Sequence, residues 1–220
     1  MILGSKKVFS RHILIGCIAA VIVSLFWFSY LQQSGSEAGL WRAFADSAFI
    51  FLFITLSIGP LTVLWEPALK ILKWRREFGI WFAVLALFHG ILVSRGLFNW
   101  NVIGTFSQGG LGLANLLGLT ALFFALVLAA TSSDRAVKFL GISSWKWLHN
   151  LSYIIFYLVG FHAVHNLFIT PFSPAHWFRY LFLIMLFLVP ILQLGAFLKI
   201  VISNRKRLEE NKQKQKWKTE

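Results

Sequence analysis

The sequence predicts an all-α, polytopic membrane helix bundle with six transmembrane helices. Three observations predict it: apolar residues gathered into long runs, a scarcity of charge, and basic residues confined to alternate connections between the runs. Hydrophobic residues make up 58% of the 220 positions and charged ones 13%, with a mean hydropathy of +0.72. So few charges could not cover a soluble domain of this size. A spanning helix needs about 20 mostly apolar residues. Six such stretches use nearly the whole length, so one transmembrane domain is expected over residues 1–220.

The first span is expected at residues 12–31. Basic residues precede it as in a signal peptide, but its apolar run is long and has no convincing small-residue cleavage site before Trp27 and Phe28, so it reads as a retained helix. A polar loop, QQSGSEAG, leads to the second span at 44–65, which contains Gly59 and Pro60. Proline is tolerated in a membrane helix when a neighbour satisfies the carbonyl it frees, so Pro60 predicts a kink or an early end. The third span is placed at 78–96, followed by the interfacial loop LFNWNVIGTFSQGG. The fourth, at 111–131, opens among Gly109, Gly110, Gly112 and Gly118, which should let helices approach closely. A second basic connection, with room for a short interfacial helix, precedes the fifth span at 148–169. A stiff loop with two prolines precedes the sixth at 178–200, and the charged tail 203–220 is expected as a surface helix or a disordered segment.

The net charge of +13 does not indicate nucleic acid, because the basic residues lie between and beyond the apolar runs. Eighteen of the 21 fall at the two termini and in the second-to-third and fourth-to-fifth connections. Arg42, Arg95 and Arg179 are left for the other side. The positive-inside rule then predicts cytoplasmic termini, and an odd number of spans would break the pattern. The same clusters suit contact with anionic lipid. Trp41, Trp65, Trp100, Trp147 and Trp177 lie near span ends, as an aromatic belt requires. The single Cys17 excludes an internal disulfide framework and a cysteine-built metal site.

Ionisable residues within a membrane span are costly and demand a reason. His89 lies in the third span; His149, His162 and His165 lie in the fifth. The third and fifth spans run the same way, and at about 1.5 Å per residue His89 and His162 reach comparable depth in the outer half. Two imidazoles at one level make a clamp for an iron porphyrin, with Phe82, Phe88, Tyr153, Phe156 and Phe161 to pack the macrocycle. Proton relay and structural hydrogen bonding are the competing readings of the pair. His149 lies thirteen residues before His162, and the same step back from His89 reaches Arg76. A second bis-histidine site therefore lacks a partner. Arg75 or Arg76 would suit a haem propionate, a quinone oxygen or a lipid phosphate. His149 reads equally as a ligand, a quinone contact or an interfacial residue. His165 reads as a hydrogen-bonding residue, with zinc at the His162-x-x-His165 pair a remote alternative for want of a third ligand. His12 and His176 read as interfacial. Asp46 is a lone carboxylate near the outer end of the second span, and Glu77 is expected to pair with adjacent basic residues.

The stretches RREFGIWFAVLALFH, ending at His89, and WKWLHNLSYIIFYLVGFHAVH, ending at His165, resemble the ferric reductase-like transmembrane family. The resemblance is nearest to its small bacterial branch, which contains the haem-binding membrane subunit of a periplasmic methionine sulfoxide reductase system. It implies b-type haem held at His89, His162 and His149, one haem well formed and a second, inner one open, and electron transfer across a bacterial inner membrane. Larger relatives carry two histidines on each of two helices and a cytoplasmic flavin and nicotinamide domain. Here Arg76 replaces one histidine, and the tail after Ile200 is too short for such a domain. The implied donor is a separate cytoplasmic flavin reductase or quinol, with a quinone or flavin as further ligand, and the implied acceptor is a periplasmic redox protein. The chain would be the electron-transfer component of an oxidoreductase, with no catalytic residue of its own. A non-redox transporter and a membrane assembly subunit are the alternatives.

Overall fold

The computed structural model describes residues 2–101, 111–169 and 176–219, with side chains for 8–101, 112–169 and 176–214. The expectations for Gly109, Gly110 and the two loop prolines lie outside them. The described residues are almost wholly helical and contain no strand. Helix α1 spans Ile2–Leu64, α2 Arg75–Gly96, α3 Leu111–Ala130, α4 Asp134–Leu140, α5 Ile142–His149, α6 Leu151–Val164 and α7 Phe178–Thr219. A 3₁₀ segment, Glu66–Trp74, joins α1 to α2, and a π turn, His165–Ile169, ends α6.

Five helical stretches among these residues are long and apolar enough to cross a membrane. That is one fewer than the sequence suggests, because the chain stays helical through the expected QQSGSEAG loop. The first stretch, Val8–Leu64, has 57 residues. Straight, it would measure about 85 Å, against a hydrocarbon core of about 30 Å. Gly35 breaks it, with φ 72° and ψ 174°. Side chains with a Cβ do not reach that backbone region without strain. The two arms then fold together. The Tyr30 hydroxyl donates to Asp46 at 2.7 Å, and the Trp27 indole donates to the Ser36 carbonyl at 2.9 Å. Both arms return to the start of α2: Arg11 donates to the Lys73 carbonyl at 3.0 Å, and Arg75 to the Thr55 carbonyl at 3.1 Å.

Small residues set the closest helix contacts, as expected where lipid removes the hydrophobic drive between helices. Gly16 lies under the Trp81 ring, whose indole donates to the His12 carbonyl at 3.1 Å. Around Phe51, Leu52, Leu56, Phe156 and Phe182, all buried, the arms of α1 pack on α2, α6 and α7. Phe28, Leu113, Ile184 and Phe187 point outward and are exposed. A water-facing surface would not carry so many large apolar groups, so the protein is a multi-pass membrane protein whose exterior faces lipid.

Pro60 lies inside α1, where it removes the N–H that would have bonded the Leu56 carbonyl. Gln193 of α7 supplies the missing donor, its Nε2 lying 3.2 Å from that oxygen. The Gln193 amide oxygen accepts from Tyr153 Oη at 3.3 Å. The kink expected at Pro60 is thus absorbed within a continuing helix. The basic connection after α3 holds two short helices, with Ser133 capping the first by accepting from the Ala136 N–H. The tail continues α7 as helix to Thr219.

Candidate functional site

His89 on α2 and His162 on α6 face each other with ring centroids 6.4 Å apart and planes at 72°. Each ring is held by a neighbouring helix. His89 Nδ1 lies 2.9 Å from the Trp41 carbonyl oxygen on α1, and His162 Nδ1 lies 2.7 Å from the Ala114 carbonyl oxygen on α3. A carbonyl only accepts, so each Nδ1 carries the proton, and each Nε2 is left with its lone pair. The same tautomer and second-sphere partner are found in metal-ligating histidines.

The two frames are equivalent in spacing, since 48 residues separate carbonyl and imidazole in both. Each is a helical hairpin whose first member offers a carbonyl and whose second offers a ring. Glycine supports both. The Trp41 ring lies over Gly96, and the His162 ring lies against Gly118. This duplication is invisible as sequence similarity, because Trp41 and Ala114 contribute only backbone atoms.

The aromatic residues near the pair divide. Phe88 stacks on Phe44 at 5.4 Å and stays half-exposed beside His89, and Phe161 is exposed. Phe82 and Phe156 are buried in the core, and Tyr153 is turned to Gln193. Phe82, Tyr153 and Phe156 thus serve the bundle, which leaves Phe88 and Phe161 of the expected set with exposed rings.

Toward the other end, His149 closes α5 and does not sit inside the following helix, which begins at Leu151. Trp145 packs 4.2 Å from its ring and donates to the Thr131 carbonyl at 3.0 Å. His149 Nε2 is buried and has no hydrogen-bond partner. Arg75 turns inward to the Thr55 carbonyl, with its guanidinium over Gly59. Arg76 turns away and pairs with Asp134 at 2.7 Å. The two arginines, equivalent in the sequence reading, thus part, and Arg75 is the one left over the bundle interior.

Other expectations change. Glu77 pairs at 3.0 Å with Arg11 from the first arm of α1, not with an adjacent basic residue. His176, read as interfacial, is buried and stacks on Tyr30 at 3.9 Å. Its Nδ1 accepts from the Phe178 N–H at 3.3 Å, and its Nε2 lies 3.0 Å from Ser29 Oγ. Asp46 is buried and accepts from the Tyr30 hydroxyl. No group of three or more His, Cys, Asp or Glu able to hold a metal ion is present among the described residues. A metal at the facing pair would therefore need further ligands from a cofactor, which a porphyrin supplies.

The model of the family described as ferric reductase like transmembrane component matches residues 38–160, a span that includes Trp41, His89 and Ala114 and ends two residues before His162. The magnetosome protein MamZ of Magnetospirillum gryphiswaldense is 32% identical over 123 residues, 56% of this chain and 19% of its own. The protein-methionine-sulfoxide reductase heme-binding subunit MsrQ of Polaromonas naphthalenivorans is 30% identical over 134 residues, 60% of each chain. The match thus spans about a fifth of the magnetosome protein and 60% of the heme-binding subunit.

Proposed function

Because the chain belongs to the ferric reductase like transmembrane component family, we propose that it is a six-span electron-transfer subunit holding haem b between His89 and His162. The observation that carries the reading is the facing pair, with each Nδ1 fixed to a backbone carbonyl and the ring centroids 6.4 Å apart. A metal–imidazole bond is roughly 2 Å, and a ring centre lies about 1 Å behind its nitrogen. Two imidazoles on opposite sides of one metal therefore have centres about 6 Å apart. The residues present fit the group.

When bound, haem supplies one-electron redox chemistry, and the protein sets its position and potential. The Trp41 and Ala114 carbonyls hold the ring planes and raise the basicity of each Nε2. The apolar bundle keeps water away. The two arms of α1 count as separate spans, and the charge bias then supports both termini lying with the basic connections on the cytoplasmic side of a bacterial inner membrane. His89 and His162 lie in the outer half in that orientation, suited to delivery to a periplasmic redox protein. The relative named as a heme-binding subunit of methionine sulfoxide reduction supports an acceptor of that class.

Electron entry is assigned to the inner end, where the unpartnered His149 Nε2 and the inward Arg75 face the interior. This end suits a second haem, a quinone or a flavin, with Arg76 held by Asp134 and the donor a cytoplasmic flavin reductase or quinol. The basic rim contacts anionic lipid.

The test is an optical spectrum of the purified protein with haem quantified per chain. The wild type should show the reduced α band of a b-type haem, and His89→Ala and His162→Ala should each remove most of it, while His12→Ala retains it. A colourless protein made with ample haem, or full absorbance in both variants, would sink the reading.

A further inference from the structure

We infer that Gly118 is a positioning residue for His162, its missing side chain letting the imidazole reach the Ala114 carbonyl. The inference rests on the haem reading above and concerns what sets one axial ligand. A Cβ built on Gly118 would lie 2.7 Å from His162 Nδ1, 2.8 Å from Cε1 and 3.2 Å from Cγ. Those atoms are the body of the ring, not the loose end of a flexible chain. The backbone that carries the ring is tied from its own helix, where Asn166 Nδ2 donates to the His162 carbonyl at 2.8 Å.

Helical geometry explains why residue 118 is the critical one. In α3 the Ala114 carbonyl accepts the N–H of the residue four positions on, which is Gly118. Its second lone pair is open to a donor from outside the helix. His162 Nδ1 takes that place at 2.7 Å. It reaches the oxygen from the side over which a side chain at 118 would project. Any Cβ there forces the ring off the carbonyl or away from α3, and the direction of Nε2 changes with it. The equivalent frame differs: His89 bonds the Trp41 carbonyl at 2.9 Å, and the residue four positions on is Ala45, which already carries a Cβ. The His89 ring thus reaches its carbonyl without a glycine at that step. The two histidines are therefore not positioned alike: a glycine stands four positions after the carbonyl only in the His162 frame.

The experiment compares wild type, Gly118→Ala, Gly90→Ala and the double variant Gly118→Ala with His162→Ala. Gly90 is the control, because its Cβ would meet the yielding Leu122 Cδ2 at 3.1 Å. Haem per chain, the ferric spin state by electron paramagnetic resonance, and the midpoint potential are read. Gly118→Ala should weaken the His162 bond roughly 10- to 100-fold, as loss of a ligand's outer partner does. The haem then becomes high-spin with a shifted potential, and added imidazole restores the low-spin signal. Gly90→Ala should match wild type. If Gly118→Ala fails to fold, the double variant should fold again, because truncating His162 makes room for the methyl. A low-spin Gly118→Ala protein with wild-type potential overturns the inference alone. So does a high-spin form that imidazole does not restore, or, where Gly118→Ala fails to fold, a double variant that folds no better. A colourless wild type overturns this inference together with the haem assignment on which it rests.

Discussion

Replacing Gln193 with Leu should destabilise the bundle by about 1–2 kcal/mol through a carbonyl that Gln193 never covalently neighbours. Pro60 cannot donate to the Leu56 oxygen, and Leu56 is fully buried. Gln193 Nε2 at 3.2 Å takes over that bond. Leucine keeps the approximate volume but leaves the carbonyl bare. An unsatisfied buried polar group costs about 1–3 kcal/mol. Hydrogen bonds between membrane helices measure lower, about 0.6 on average and up to about 1.7 kcal/mol. The overlap of those ranges sets the expected loss. Part of it comes from Tyr153, whose hydroxyl loses its acceptor at 3.3 Å. A double-mutant cycle separates the two. Pro60→Ala restores a backbone N–H at position 60, so in that background the Leu56 carbonyl is satisfied within α1. The cost of Gln193→Leu should then fall toward the Tyr153 share. Equilibrium unfolding in mixed micelles reads all four proteins. If the cost of Gln193→Leu is the same in both backgrounds to within about 0.5 kcal/mol, the limit for independent sites, the relay from Pro60 to Gln193 is refuted.

Three further outcomes are expected. Arg11→Ala leaves Glu77, 1% exposed, as an unpaired buried carboxylate and should cost about 3–5 kcal/mol; the double variant with Glu77→Gln should recover much of it, and unfolding of the pair decides. Gly35→Ala should cost about 1–3 kcal/mol from backbone strain alone, since a Cβ there meets nothing within 4 Å; an unchanged unfolding midpoint would deny that the reversal depends on glycine. His176 is held neutral, its pKa lowered from 6.5 by burial and then by Arg179 and Arg42. The unfolded chain takes up that proton first, so the contribution is constant above about pH 6.5 and is lost as pH falls toward the folded value. Protonation also puts a hydrogen on Nδ1 against the Phe178 N–H. The unfolding midpoint should drop on acidification in wild type and less steeply in His176→Gln; parallel profiles would refute the assignment.

Much of the fold was legible because lipid imposes simple demands. Apolar length placed α2 and α3 within a few residues, since a span must satisfy its own backbone. Helical rise placed His89 and His162 at one level. What escaped depended on groups that sequence patterns do not display. The first connection remained helical because Gln, Ser, Glu and Ala tolerate helix, and a single glycine made the reversal. Arg75 and Arg76 are neighbours with one chemistry, and only the positions of Thr55 and Asp134 send them opposite ways. His176 lies beside a helix end in sequence but is buried because Tyr30 and Ser29 come from α1.

Composition and a fixed rise per residue were enough to make the chain a membrane helix bundle, to pick out the residues able to ligate, and to group the ends that share a charge. Which nitrogen of each histidine is free came from packing between helices. That choice depends on carbonyls of Trp41 and Ala114, 48 residues away in each frame. Every residue has a carbonyl, so no residue type could announce the ones that matter.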